Sequence, residues 1–142
     1  TGWVSEGGRW YYYGPSGGQA SGWGSVRGSW YYLDPISGEM AIGWTKVRDA
    51  WYYLGSSGAM RTGWLREGST WYYLSDSGSM ATGWVRLGSS WYHFAPSGAM
   101  NTGWLKDGDS WFYLSTSGEM VTGERWIDGT RYVFDDQGRL LP

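Results

Sequence analysis

The stretch "GWLREGSTWYYL", Gly63 to Leu74, alternates its side chains on either side of a two-residue break. Aromatic-rich segments such as "GWLRE" and "TWYYL" are strand formers, and a break of this length predicts a hairpin. The register follows: Trp64 should face Tyr73, and Arg66 should face Trp71. Strand side chains alternate, so these four project from one face, while Leu65, Glu67, Tyr72 and Leu74 project from the other. Across the chain that second face carries Val4, Tyr11 and Tyr13; Val47, Tyr52 and Leu54; Val85, Leu87, Tyr92 and Phe94; and Ile127, Tyr132 and Phe134. It is the expected core face.

The same pattern returns along the whole chain. Gly-Trp recurs at Trp3, Trp23, Trp44, Trp64, Trp84 and Trp104, with a second Trp at Trp10, Trp30, Trp51, Trp71, Trp91 and Trp111. The step is 20 residues, except for one of 21 at "DPISGEM". Turn signals sit between the strands: Gly7-Gly8, Arg27-Gly28, Gly68-Ser69, Gly88-Ser89, Gly108-Asp109 and Asp128-Gly129 suit type I′ or II′ turns, and Arg48-Asp49 fits less well. Linkers such as "SDSGSM" and "APSGAM" join one hairpin to the next. A 20-residue hairpin cannot bury its own apolar face, whereas stacked neighbours can. The fold class expected is therefore all-β, a solenoid of stacked β-hairpins with about seven repeats. Residues 1–122 hold six regular repeats, and residues 123–142 form a divergent C-terminal repeat, "GERWIDGTRYVFDDQG" at its heart, expected to act as a cap. The opening "TGW" falls inside the motif, so the chain is expected to be part of something longer.

Composition sharpens the question of what the rings do. There are 13 Trp and 12 Tyr against 3 Phe, with 25 Gly and no Cys, and the formal net charge is −2. Without cysteine there is no disulfide framework and no thiolate zinc site. Without a basic tract, binding driven by nucleic-acid phosphates has little electrostatic support. No apolar run approaches the length of a membrane-spanning helix. Aliphatic side chains would fill a dry core with less trouble than Trp and Tyr, whose N–H and O–H groups need partners. A repeated set of Trp, Trp and Tyr on one face reads instead as the wall of a ligand site. Sugars stack on such rings, and quaternary ammonium cations sit in boxes of them.

The pattern "TGW", six residues, "WYYL", then "SG", one residue and "M" resembles the choline-binding repeats of pneumococcal and related bacterial surface proteins and phage lysins. The resemblance runs in register from Thr1 to Met120 and more loosely to Leu140. It implies a left-handed solenoid that holds choline in cages between consecutive repeats. In it the two Trp of one repeat meet the last Tyr of the next repeat's "WYY", and a linker Met completes the site. Carried over, it implies sites at Trp23, Trp30, Met40 and Tyr53; at Trp44, Trp51, Met60 and Tyr73; and at Trp84, Trp91, Met100 and Tyr113. Three further sites depart from the pattern. Trp3, Trp10 and Tyr32 have Gln19 in the Met position; Trp64, Trp71 and Met80 meet His93 in place of Tyr; and Trp104, Trp111 and Met120 meet Val133, leaving two rings. In the last unit Trp126 lies opposite Arg131, the reverse of the usual pair.

Other residues offer less. His93 is the one histidine and has no nucleophile or orienting acid near it in the repeat. Asp135, Asp136 and Glu119 fit no calcium-loop spacing and read as solvated turns. Lys46, Arg66, Arg86 and Lys106 are equally suited to meeting a ligand phosphate and to covering neighbouring Trp rings. No catalytic residue, metal or cofactor is expected. The implied function is non-catalytic attachment to choline or phosphocholine on teichoic or lipoteichoic acid, at a secreted, bacterial cell-surface location. The parent protein could carry an enzyme, and the exposed end of a solenoid leaves room for a ligand-promoted homodimer. Two rival readings are a glucan or toxin-type carbohydrate module and a structural or protein-docking solenoid. The doubled Trp favours choline over the first.

Overall fold

A computed structural model describes residues 2–142. Fourteen five-residue strands pair into seven antiparallel hairpins. In chain order these are Gly2–Glu6 with Arg9–Tyr13, Gly22–Val26 with Ser29–Leu33, Gly43–Val47 with Ala50–Leu54, Gly63–Glu67 with Thr70–Leu74, Gly83–Leu87 with Ser90–Phe94, Gly103–Asp107 with Ser110–Leu114, and Gly123–Ile127 with Thr130–Phe134. The protein is all-β, with each hairpin a two-stranded sheet of its own.

The strands form where β-branched and aromatic residues cluster, and each hairpin closes at the expected dipeptide. Both central residues have positive φ at Gly7-Gly8, Arg27-Gly28 and Asp128-Gly129, the signature of a type I′ turn. At Gly68, Gly88 and Gly108 only the first residue does, as in type II′. Arg48 takes that same place with a φ of 60°. The turn forms despite the Cβ penalty of about 1–2 kcal/mol because the flanking strands hold it. The pairing Trp44↔Tyr53 and Lys46↔Trp51, repeated at Trp23↔Tyr32, Trp84↔His93 and Trp104↔Tyr113, matches the register expected from turn placement.

The chain divides into two compact units: one ends at Leu65 and takes in Leu74–Met80, and the other comprises Arg66–Tyr73 and Ala81–Pro142. Both are assembled by the same backbone device. After each hairpin the linker doubles back and bridges its own second strand, Leu33↔Met40 and Leu114↔Met120 being examples. The same linker residue then donates its N–H to the preceding hairpin. In the first unit Met40 donates to the Trp10 carbonyl and Met60 to that of Trp30, both at 2.7 Å. In the second, Met120 donates to Trp91 and Leu140 to Trp111, both at 2.8 Å. One linker residue therefore bridges two hairpins and satisfies edge groups that would otherwise stand open.

The dry core is narrow. Leu33, Leu54, Leu74, Phe94, Leu114 and Phe134, each closing a second strand, are at most 3% exposed beneath the returning linker. Burying such a side chain contributes about 1.5–3 kcal/mol. Of the expected core face, Leu54, Phe94, Ile127 and Phe134 are buried, whereas Val4, Val47, Val85 and Leu87 are only half-buried. Val121, Ile127 and Phe134 form one cluster, with Tyr113, Tyr132 and Leu140 against it. Among the described residues no helix is long and apolar enough to cross a membrane, and no group of three or more His, Asp or Glu is placed to hold a metal ion.

Candidate functional site

Within each unit, stacking puts the Trp-bearing face of one hairpin against the opposite face of the next, and the indoles of Trp3, Trp23, Trp84 and Trp104 are each held between two rings. On its own hairpin Trp23 meets Tyr32 at 5.0 Å, and from the next hairpin Tyr52 stands edge-on to it at 4.9 Å. The first hairpin repeats this with Trp3, Tyr12 and Tyr31, at 5.0 and 4.9 Å. In the second unit Trp84 lies between His93 at 4.8 Å and Phe112 at 4.9 Å, and Trp104 between Tyr113 at 5.1 Å and Tyr132 at 4.9 Å. The T-shaped contacts fix the indole orientations and leave part of each ring system open.

The second Trp completes a groove. Trp23, Trp30, Tyr52 and Met60 line one of about 450 Å³, closed at its rim by Asp76 and Ser77. Trp3, Trp10, Tyr31 and Met40 line another of about 310 Å³, with Ser56 and Ser57 at the rim. In the second unit Trp84, Trp91, Phe112 and Met120 line a groove of about 500 Å³, with Asp136, Gln137 and Arg139 at the rim. Trp30 is 47% exposed and Trp91 41%, as walls of an open site should be. Each groove draws on three consecutive repeats: two Trp from the first, a ring and a Met from the second, and a linker tip from the third. The tip glycine is part of this fit. Gly58 has a φ of 89°, and a Cβ built on it would fall inside the van der Waals surface of the Met40 sulfur. Glycine thus lets the third repeat close over the thioether of the second.

These grooves differ in two particulars from the sites that the resemblance implies. Trp23 and Trp30 meet Tyr52, while Tyr53 packs on Trp44 of its own hairpin at 5.1 Å. Tyr32 and Tyr113 likewise stay with Trp23 and Trp104, and Tyr73 holds the equivalent strand position. The reason is parity. The last Tyr of "WYY" shares a face with its own Trp, so the next hairpin can present only its middle ring. The Met also comes from one repeat later than expected: Met60 serves Trp23 and Trp30, Met40 serves Trp3 and Trp10, and Met120 serves Trp84 and Trp91. Met80 and Met100 follow the same backbone rule, donating to the carbonyls of Trp51 and Trp71.

Two departures from the pattern thereby change meaning. Trp3 and Trp10 have a Met after all, and Gln19 lies against Gly38 instead. Beside Val133, expected to leave Trp104 and Trp111 without a third ring, Tyr132 stands 4.9 Å from Trp104, and Leu140 donates its N–H to the Trp111 carbonyl as the linker Met residues do elsewhere. His93, expected beside Trp64 and Trp71, packs against Trp84 and accepts a 2.7 Å hydrogen bond at Nδ1 from the Asn101 amide. Burial lowers its pKa below the usual imidazole range, and the Asp107 carboxylate partly counters this. Asp107 also accepts the Trp84 indole N–H at 2.8 Å. The basic side chains Lys46, Arg66, Arg86 and Lys106 are exposed, and Arg66 donates to the Gly68 carbonyl of its own turn.

Comparison with known proteins places this geometry. The family model described as choline-binding repeat matches residues 1–43, 41–82 and 81–124. Among solved structures, CbpJ from Streptococcus pneumoniae is 44% identical with a TM-score of 0.95 over 99% of this chain and 52% of its own. Choline binding protein F from Streptococcus pneumoniae, solved in the presence of a peptidoglycan analogue, is 44% identical with a TM-score of 0.94 over 99% of this chain and 52% of its own. The pneumococcal cell-wall endolysin from phage Cp-1, complexed with choline, is 36% identical with a TM-score of 0.61 over 86% of this chain and 37% of its own. The chain thus spans about half the length of the first two. A search of curated protein sequences found no match.

Proposed function

The chain belongs to the choline-binding repeat family, and from that premise we propose that it is a non-catalytic attachment module that holds choline of teichoic and lipoteichoic acids between consecutive repeats. The observation that carries this reading is the Trp23, Trp30, Tyr52 and Met60 groove, in which three rings and a thioether surround a space open to solvent. A trimethylammonium group entering it sheds water from its methyl groups while its charge faces the electron-rich rings. Each cation–π contact contributes about 0.5–2 kcal/mol. Three contacts, less the cost of holding the ligand, suit a dissociation constant near ~1 mM. A polymer bearing many cholines gains avidity by engaging several grooves of one chain.

On this reading residues 1–122 bind and residues 123–142 cap. The seventh hairpin supports that division, because Glu124 and Arg131 stand in the positions of the two Trp and form an ion pair there. The module would act outside the cell, at the bacterial wall, carried by a longer parent protein that has an enzymatic part in some relatives. Ligand that ties neighbouring repeats together would also favour a homodimer through an exposed end.

Titration of the Trp fluorescence with millimolar choline, paired with thermal melts, tests the reading. Because ligand binds the stacked state, it should raise the melting temperature by mass action. Tetramethylammonium should give part of the effect. A shift with glucose oligomers and none with choline would assign the grooves to carbohydrate instead.

A further inference from the structure

We propose that the linker tip two hairpins downstream sets how strongly a groove holds a cation, and that Asp76 makes the Trp23–Trp30 groove a tighter quaternary-ammonium site than the Trp3–Trp10 groove. This rests on the choline reading of both grooves. They lie in the same unit and form an internal control. Trp3, Trp10, Tyr31, Met40 and Ser57 correspond one for one to Trp23, Trp30, Tyr52, Met60 and Ser77. The edge-on ring pairs match as well: 4.9 Å and 65° for Trp3 with Tyr31, 4.9 Å and 67° for Trp23 with Tyr52. Among the lining side chains the one difference is Ser56 against Asp76, and the Asp76 groove is the roomier, about 450 Å³ against about 310 Å³.

The two tips turn in the same way. Gly58 donates its N–H to the Gly55 carbonyl and Gly78 to that of Ser75, both at 2.8 Å. Around Asp76 the turn is further knit by the Ser75 hydroxyl, 2.9 Å from those of both Ser77 and Ser79. The aromatic and thioether walls therefore match in kind, and the carboxylate at the mouth is the one chemical difference, which D76S isolates within a single groove. At an exposed position an added ion pair strengthens binding by about two- to fivefold. The remaining tips follow the same logic. Asp136 brings an acid to the Trp84 groove, but Arg139 lines that groove too, so the charges oppose each other there.

The test follows the indole N–H resonances of Trp10 and Trp30 in the whole chain during titration with choline. A parallel titration uses 3,3-dimethylbutan-1-ol, the uncharged carbon counterpart of choline. Wild type should show Trp30 saturating at a choline concentration about two- to fivefold below Trp10. D76S should bring Trp30 to the affinity of Trp10, and S56D should raise Trp10 by a similar factor. The gap should narrow in about 0.5 M NaCl, where charges are screened, and should be absent with the uncharged compound. Equal choline affinity at the two indoles in wild type, or no change at Trp30 in D76S, overturns the inference and leaves the choline reading standing. Choline that perturbs neither indole overturns both.

Discussion

Tyr52 stands edge-on to Trp23 with ring centres 4.9 Å apart and planes turned by 67°, although the two rings belong to consecutive hairpins. Its strand neighbour Tyr53, one residue later, faces the other way and braces Trp44 at 5.1 Å. Adjacent tyrosines thus serve different grooves, one as the wall of its predecessor's and one as the support of its own.

This separation can be tested by substitution. Tyr52→Leu removes one cation–π wall from the Trp23 groove and should weaken choline there about three- to tenfold. Tyr52→Phe should be nearly neutral, since Phe112 already serves in the Trp84 groove. Indole NMR titration reads each site separately. Loss of binding at the Trp23 groove in Tyr53→Leu, with Tyr52→Leu unaffected, would reverse the assignment.

The tip glycine gives a second prediction. Gly78 and Gly63 both have positive φ, 92° and 81°, but only a Cβ on Gly78 would run into Met60; Gly63 faces open space. Gly63→Ala should cost about 1–2 kcal/mol for the backbone strain alone. Gly78→Ala should add about 1–3 kcal/mol of overpacking and displace Met60 from the Trp23 groove. Urea midpoints of the two variants measure the difference, and choline titration of Gly78→Ala should show a weakened Trp23 site. Equal destabilisation would mean that Met60 yields without cost.

A third prediction concerns pH. The folded-state pKa of His93 lies below its ordinary value because burial disfavours the imidazolium. The neutral form is thus favoured by folding. Its contribution to stability is fully present above the unfolded pKa of about 6.5 and is lost as pH falls below it. The melting temperature should drop between about pH 7.5 and 5.5, and His93→Tyr should remove that component. Because His93 braces Trp84, the Trp84 and Trp91 indoles should report the change. A melt that is flat across this range in wild type would rule the coupling out.

Much of the architecture is readable from local order along the chain. Two-residue turns and period-two alternation are local properties, so the seven hairpins, the face carrying Trp23, Trp30 and Tyr32, and the cross-strand register all follow from short stretches. The repeat pattern also points to the family, because six units keep their rings in register. What the residues of one repeat do not contain is the operation that relates it to the next. Only stacking decides that the Trp face meets an opposite face, that Tyr52 and not Tyr53 crosses the gap, and that the linker reaches back so that Met60 lies beside Trp23 and Trp30. The rim is further still from local reading: Asp76 sits 46 residues beyond Trp30 and reaches its groove only because two successive stacking steps bring it there. Backbone conformation is set within a hairpin by neighbouring residues, whereas the groove is set by long-range packing between hairpins that individually could not stand.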